Sequence, residues 1–261
     1  MSRSGDPSDR EFVRSLAKGL GVIEAFSASA PSMTLSEVAR AARLSPGSAH
    51  RVLKTLERLG YVGSSDGRYS LMPRTLQLGY AYLSSLPLAS LVQPKLSELT
   101  QEFDESCSVA MLHARDIIIV ARSTAKRLTQ DYLAVGSRLP AHATSFGKVL
   151  LAALPDRELR HVLAQEPLQR MTPQTICRVP DLLRELARIR KAGWAINDQE
   201  SIMGLRSIAV PIYLQDRVYA GLGISAEVVR IDRKRMMERF VPALKEASIF
   251  LSQVMSARVQ G

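Results

Sequence analysis

Cysteine is almost missing: Cys107 and Cys177 are the two in 261 residues. Two thiols so far apart make a poor disulfide framework, and no Cys/His spacing resembles a zinc site. No metal site is expected, and a reducing cytoplasm fits best. Long apolar runs are missing too. No stretch approaches the ~18 uninterrupted apolar residues of a membrane span. The opening segment MSRSGDPSDREF has no apolar core, so it does not read as a secretory signal. The usual marks of enzymes are also lacking. TSFGK lacks the preceding glycines of a phosphate-binding loop, GLG lacks the third glycine of a dinucleotide fingerprint, and no G-x-S-x-G occurs. The four histidines, His50, His113, His142 and His161, have no recognisable nucleophile beside them. Neither catalysis nor a cofactor is expected. There is no internal repeat and no low-complexity tract.

What is present is enough apolar material for packed cores, 46% of the chain, and a length that suits two domains. The formal net charge is +10 and the pI about 9.9. Such a balance favours a polyanionic partner. It does not localise one, because basic residues recur from Arg3 to Arg258 with acidic residues between them.

Residues 1–11 are polar and read as a mobile arm. Leu16, Leu20, Ile23 and Phe26 then recur on one helical face, which stops in the small residues before Pro31. Thr34 and Glu37 fit a capping box at the start of a second, short helix. Ser45 is a good N-cap for a third helix, with Pro46 in its first turn and Gly60 at its end. Ala49, Val52, Leu53, Leu56 and Leu59 form its inner face. Ser48, His50, Arg51, Lys54, Thr55 and Arg58 form its outer face. Asp66-Gly67 between two short runs is a hairpin turn. The series is three helices and a two-stranded wing.

A helix that reads the major groove needs an apolar back and a front of small and hydrogen-bonding residues. Ser45 to Thr55 meets both demands. Gly47 and Ser48 are small enough for close approach. Arg51 suits a guanine edge, and His50, Lys54 and Thr55 suit bases or phosphates. Arg68 on the wing suits a phosphate or the minor groove. A solvated face of an ordinary helical bundle explains any one of these residues; the ordered series favours double-stranded DNA.

After Pro73 a linker helix runs to Pro87, and another helix spans 88–104. Hairpins are expected turning near Arg115-Asp116 and at Gln215-Asp216, with a strand at Tyr132–Val135. Helices are expected at about 145–154, 156–165, 181–192 and 232–258. This order predicts an α+β layer domain, a mostly antiparallel sheet with helices packed on it. Thr144 and Ser145 stand where a helix begins, and its free N–H groups and dipole suit a carboxylate; a plain helix cap explains either residue equally well. Asn197, Asp198 and Glu200 are polar residues following a strand. Leu205 and Ser207 share one strand face, as do Gly223 and Ser225. Arg122 and Arg138 suit a ligand carboxylate, or else structural ion pairs.

LSEVARAARLSPGSAHRVLKTLERLGYV resembles the helix-turn-helix of the IclR family of bacterial transcription regulators. RSLAKGLGVIEAF resembles that family's first helix, and DGRYSLMPRTLQLG its wing and linker. GSRLPAHATSFGKVLLA, GWAINDQESIMGLRSIAVPI and GLGIS resemble segments of its effector-binding domain, so the likeness covers about residues 12–257. RSLAKGLGVIEAF and GSRLPAHATSFGKVLLA are most similar to regulators of aromatic-acid catabolism in the β-ketoadipate pathway. The resemblance implies a winged helix-turn-helix at 12–72, a linker helix at 73–87 and a GAF-like effector-binding domain at 88–258. It implies effector contacts at Ser145 and Phe146 and near Asn197, Leu205 and Ser207. The family pattern often has serines at both positions of the last segment. Gly223 departs from it, removing a hydroxyl and leaving room. The expected partners are operator DNA and a small organic acid, an aromatic carboxylate or its ring-cleavage product, with no membrane. A homodimer or a dimer-of-dimers tetramer is expected. The rival reading is a small-molecule-binding enzyme or metabolite-binding protein with an attached winged-helix interaction module.

Overall fold

The computed structural model describes residues 12–27, 29–85, 87–125 and 133–259. The expected arm, residues 1–11, lies outside them. The chain divides into two compact units, residues 1–82 and 83–261.

In the first unit α1 (Arg14–Glu24) is followed by β1 (Ser32–Thr34), α2 (Leu35–Ala41), α3 (Pro46–Arg58), β2 (Val62–Ser65) and β3 (Arg68–Leu71). Caps set the helix starts. The Glu37 amide donates to Thr34 Oγ1, and the Thr34 amide donates to the Glu37 carboxylate at 2.7 Å. The bond from the Thr34 backbone holds the Glu37 carboxyl below the usual carboxylate range. Ser45 accepts from the Ser48 amide, and Pro46 takes the first helical position. At the wing tip Asp66 and Gly67 have φ of 51° and 74°, the left-handed pair of a type I′ turn. The wing has a third strand that sequence reading omits: β1 pairs with β3 in the order β1-β3-β2. Three residues, from Ser32 to the capping Thr34, offer no alternation to detect. Val22, Met33, Val38, Leu53, Leu56 and Val62 form the core. The expected helix faces need correcting. Leu16, Leu20 and Leu59 are 62%, 47% and 48% exposed, whereas Ser48 is buried.

The division between units falls inside α4 (Leu76–Ser85), after a 3-10 turn at Pro73–Thr75. The second unit continues with α5 (Pro87–Phe103), β4 (Ser106–His113), β5 (Asp116–Ser123), β6 (Arg138–Pro140), a 3-10 turn at Ala141–Ala143, α6 (Ser145–Ala153), α7 (Asp156–Ala164), α8 (Val179–Ala192), β7 (Ala195–Asp198), β8 (Leu205–Leu214), β9 (Arg217–Glu227) and α9 (Arg233–Val259). The strands form one antiparallel sheet, β6-β5-β4-β9-β8-β7. The strand expected at Tyr132–Val135 is corrected: residue 132 lies outside the described residues, 133–135 are not strand, and the edge strand is β6. Helices cover both sheet faces. Leu96 and Leu99 of α5 and Phe240 and Leu244 of α9 pack on Val109, Ile208, Leu222 and Ile224. On the other face, Phe146 and Val149 of α6 and Leu186 and Ile189 of α8 pack on Ile117, Ile119, Ala195 and Ala209. Among the described residues no helix is long and apolar enough to cross a membrane.

Candidate DNA-reading face and effector site

Helix α3 turns Ala49, Leu53 and Leu56 inward, and leaves Gly47, His50, Arg51, Lys54, Thr55 and Arg58 exposed. Residues 1–82 carry eleven Lys/Arg against seven Asp/Glu, so this unit suits a polyanion. The predicted readers differ in how freely they present themselves. Arg51 makes no ion pair among the described residues. Lys54 pairs with Glu57 at 2.8 Å, which raises the Lys54 pKa and lowers that of Glu57. Thr55 turns its hydroxyl back to the Arg51 carbonyl at 2.9 Å. Ser45 is occupied as the cap. Ser48 is corrected: it faces inward, beside α1, not toward the front. Arg68 holds the wing together, with Nη2 donating to the Ser32 carbonyl at 2.7 Å and lying 3.4 Å from Glu37. Adjoining this face, Leu16, Leu20 and Ile23 of α1, Val52 and Leu59 beside them, and Leu78 line an apolar groove of about 660 Å³ that Arg51 and Thr55 border.

In the second unit strand register brings distant residues into rows on the sheet face beneath α6. One row is Asn197, Ser207, Ser225 and Ser106. The next is Ala195, Ala209, Gly223, Ser108 and Arg122. Directly paired residues of an antiparallel sheet point to one side. Helix α6 begins over the first row, where the Ser145 and Ser207 hydroxyls bond at 2.8 Å. Ser106, Ser108, Ser145, Asn197, Ser207 and Ser225 are all buried. Ser108 accepts from Arg122 Nη1 at 2.9 Å, and Ser106 from the Ala125 amide at 3.2 Å. Leu205, half-buried, follows on the Ser207 side of β8. Sequence reading missed Ser106 and Ser108. Their signal was present: two hydroxyls two residues apart in an otherwise apolar strand.

Thr144 is the cap of α6, accepting from the Gly147 amide at 2.9 Å. That leaves the Ser145 and Phe146 amides with no acceptor inside the helix. Gly147 permits the approach of α6 to the preceding turn: a Cβ there would lie 2.1 Å from the Ala141 carbonyl oxygen. Gly223 does not leave open room, which corrects the sequence reading. A Cβ there would lie 2.5 Å from the Ile208 carbonyl oxygen and 2.8 Å from the Phe146 ring. Phe146 therefore forms the inner wall of this region.

Three expected residues behave otherwise. Asn197 sits in β7, not after it, and its side chain is used in the scaffold. It donates to the Ala143 carbonyl at 2.7 Å and Ser201 at 2.8 Å, and accepts from the Glu200 amide at 2.8 Å. Asp198 is one residue on, hence on the opposite sheet face, paired with Arg206 at 2.9 Å. Arg138 is at the β6 edge, 61% exposed at its side chain and paired with Asp116. It borders a separate polar cleft with Arg115, His142 and Glu166. There His142 Nε2 lies 2.9 Å from the Gln169 carbonyl, and burial lowers its pKa.

Comparison with known proteins gives two family matches: "IclR helix-turn-helix domain" over residues 15–65 and "Bacterial transcriptional regulator IclR C-terminal" over 80–253. The Pca regulon regulatory protein of Pseudomonas putida is 42% identical over 248 residues, covering 94% of this chain and 84% of that protein. The p-hydroxybenzoate hydroxylase transcriptional activator of Acinetobacter baylyi is 33% identical over 247 residues, covering 91% and 90%. Among solved structures, an IclR homolog from Microbacterium hydrocarbonoxydans complexed with 4-hydroxybenzoate is 27% identical, with TM-score 0.75, covering 93% of this chain and 99% of that one.

Proposed function

The chain belongs to the IclR family of bacterial transcriptional regulators, and from that membership we propose that it governs aromatic-acid catabolism, reading operator DNA with α3 and sensing a small aromatic carboxylate at the start of α6. The observation that carries the acid reading is a buried helix N-terminus over a row of buried hydroxyls, Ser106, Ser207 and Ser225. A carboxylate settles on the Ser145 and Phe146 amides, where the helix dipole favours an anion. Arg122 adds a planar cation in the next row. The ring packs against Phe146 and Leu205, and the hydroxyls take its polar substituents. The p-hydroxybenzoate relative and the neighbour holding 4-hydroxybenzoate support an aromatic acid.

Isothermal titration of the full chain with 4-hydroxybenzoate tests this. One acid is expected per chain, with 4-hydroxybenzamide, its neutral counterpart, inert. At 100 times its Kd the acid adds about 2.7 kcal/mol of stability. Equal binding of 4-hydroxybenzamide, or no binding of any small acid, sinks the reading. Binding of an open-chain dicarboxylate alone would assign the site to a ring-cleavage product.

On the DNA side, Arg51 is the reader of a base edge. His50, Gly47, Lys54 and Arg68 make the supporting approach to phosphates. Arg51→Ala is expected to weaken binding to a duplex selected by the full chain from random sequence by about 1–3 kcal/mol, with little change on unselected DNA. Equal weakening on both would make Arg51 a phosphate contact. A symmetric dimer, alone or paired into a tetramer, presents two α3 helices to a two-fold operator.

A further inference from the structure

Lys148 is among the largest side chains buried almost completely in the described residues, 1% exposed. A lysine reaches such burial only when paired. Its Nζ donates to the Glu200 carboxylate through Oε1 and lies 3.5 Å from the Ile196 carbonyl. Glu200 is itself buried, and its Oε2 has no hydrogen-bond partner. Burial raises the Glu200 pKa against the pull of Lys148. Replacing such a pair with apolar residues of similar volume is often neutral or stabilising. What the pair supplies that methylenes do not is direction.

Its two ends show what is directed. Lys148 lies one helical turn after Ser145, on the first turns of α6. Glu200 lies in the turn joining β7 to β8. That turn is anchored independently: the Glu200 amide donates to Asn197, and Asn197 donates to the Ala143 carbonyl just before α6. Thr175 donates to the Glu200 carbonyl at 2.7 Å, tying in the 171–175 loop. The start of α6 is thus held from the sheet through Ser145–Ser207 and from the turn through Lys148–Glu200.

We infer that the Lys148–Glu200 pair is a positioning element for the acid site: it fixes the rotation of α6, and so the aim of the Ser145 hydroxyl and the two N-terminal amides, without touching the ligand. The inference rests on the acid site proposed above. The test is Lys148→Met with Glu200→Met in the full chain. This removes both charges together and leaves the net charge near the ligand unchanged. Expected are a melting temperature and an affinity for the selected duplex near wild type, a 4-hydroxybenzoate Kd at least tenfold weaker by calorimetry, and faster hydrogen exchange confined to residues 143–149. Unchanged acid affinity with unchanged exchange would overturn the inference, leaving the pair merely structural. If wild type binds no acid but exchange at 143–149 quickens in the variant, the acid reading falls and the hold on α6 stands. If the double variant does not fold, Glu200→Asp takes its place. It keeps the charges but shortens the reach, and the same loss of acid affinity and local protection is expected; wild-type values for both would overturn the inference.

Discussion

Gly147→Ala is expected to unfold the second unit or bring it close to unfolding. The added methyl would lie 2.1 Å from the Ala141 oxygen and 2.3 Å from its Cα. Both are backbone atoms of the turn that precedes α6, so no side chain can rotate away. Ordinary overpacking costs about 1–3 kcal/mol. A clash with fixed backbone should exceed that and reach about 4 kcal/mol or more, in the range reserved for specific structural faults. For a unit of this size that corresponds to a fall in Tm of roughly 8–16 °C. Thermal unfolding followed by circular dichroism checks it. A Tm within a few degrees of wild type would mean that α6 does not pack on Ala141–Ala143 as described. Gly147 carries more of the fold than its place in a helix suggests, because a helical glycine otherwise only lowers propensity.

Ser145→Asp is expected to abolish the response to acid while sparing DNA binding. Position 145 is the first residue of α6, with Thr144 as its cap, so an aspartate there is favoured by the helix dipole. Its carboxylate takes the amides that the ligand needs. It also repels the ligand: two like charges 4 Å apart at an effective dielectric of 20 oppose each other by about 4 kcal/mol, roughly a thousandfold in Kd. Because Ser145 is fully buried, the neutral isostere Ser145→Asn is the control, expected to keep binding within about tenfold by losing one hydroxyl contact of ordinary strength. Calorimetry with 4-hydroxybenzoate separates the two. If the aspartate variant binds normally, the carboxylate rests elsewhere, and Arg122 becomes its anchor.

The first unit was largely legible because its signals are local. A capping box, a Ser-Pro helix start and an Asp-Gly turn each act within four residues, and all agree with the apolar period. What escaped was β1, too short to show alternation, and the true facing of Ser48 and Leu59, where a small rotation of α3 trades a serine for a leucine at the surface. The second unit was legible as hairpins and helices. Its Gln215-Asp216 turn was found without a glycine, both residues adopting left-handed φ of 49° and 63°. The rows of the candidate site were less so. Ser207 and Ser225 followed from two-residue spacing once their strands were known. Asp198 was misplaced because a shift of one residue reverses the sheet face. Arg138 was near the helix start in sequence but belongs to the edge pair with Asp116. Ser106 and Ser108 gain meaning only beside Ser225 and Gly223, far along the chain. The Lys148–Glu200 pair could not be read at all, since nothing local marks a lysine in a helix as buried.

Acid bound at the start of α6 is expected to change how the chain holds DNA. The direct measurement is fluorescence anisotropy of a duplex selected by the full chain, titrated with wild type and with Ser145→Asp, each with and without saturating 4-hydroxybenzoate. A coupling of about 1–3 kcal/mol is typical of such linked sites. The acid is expected to shift the wild-type Kd for DNA by about fivefold or more, in either direction, and to leave the variant's Kd unmoved and close to that of acid-free wild type. Equal shifts in both proteins, or none in wild type despite bound acid, would contradict it.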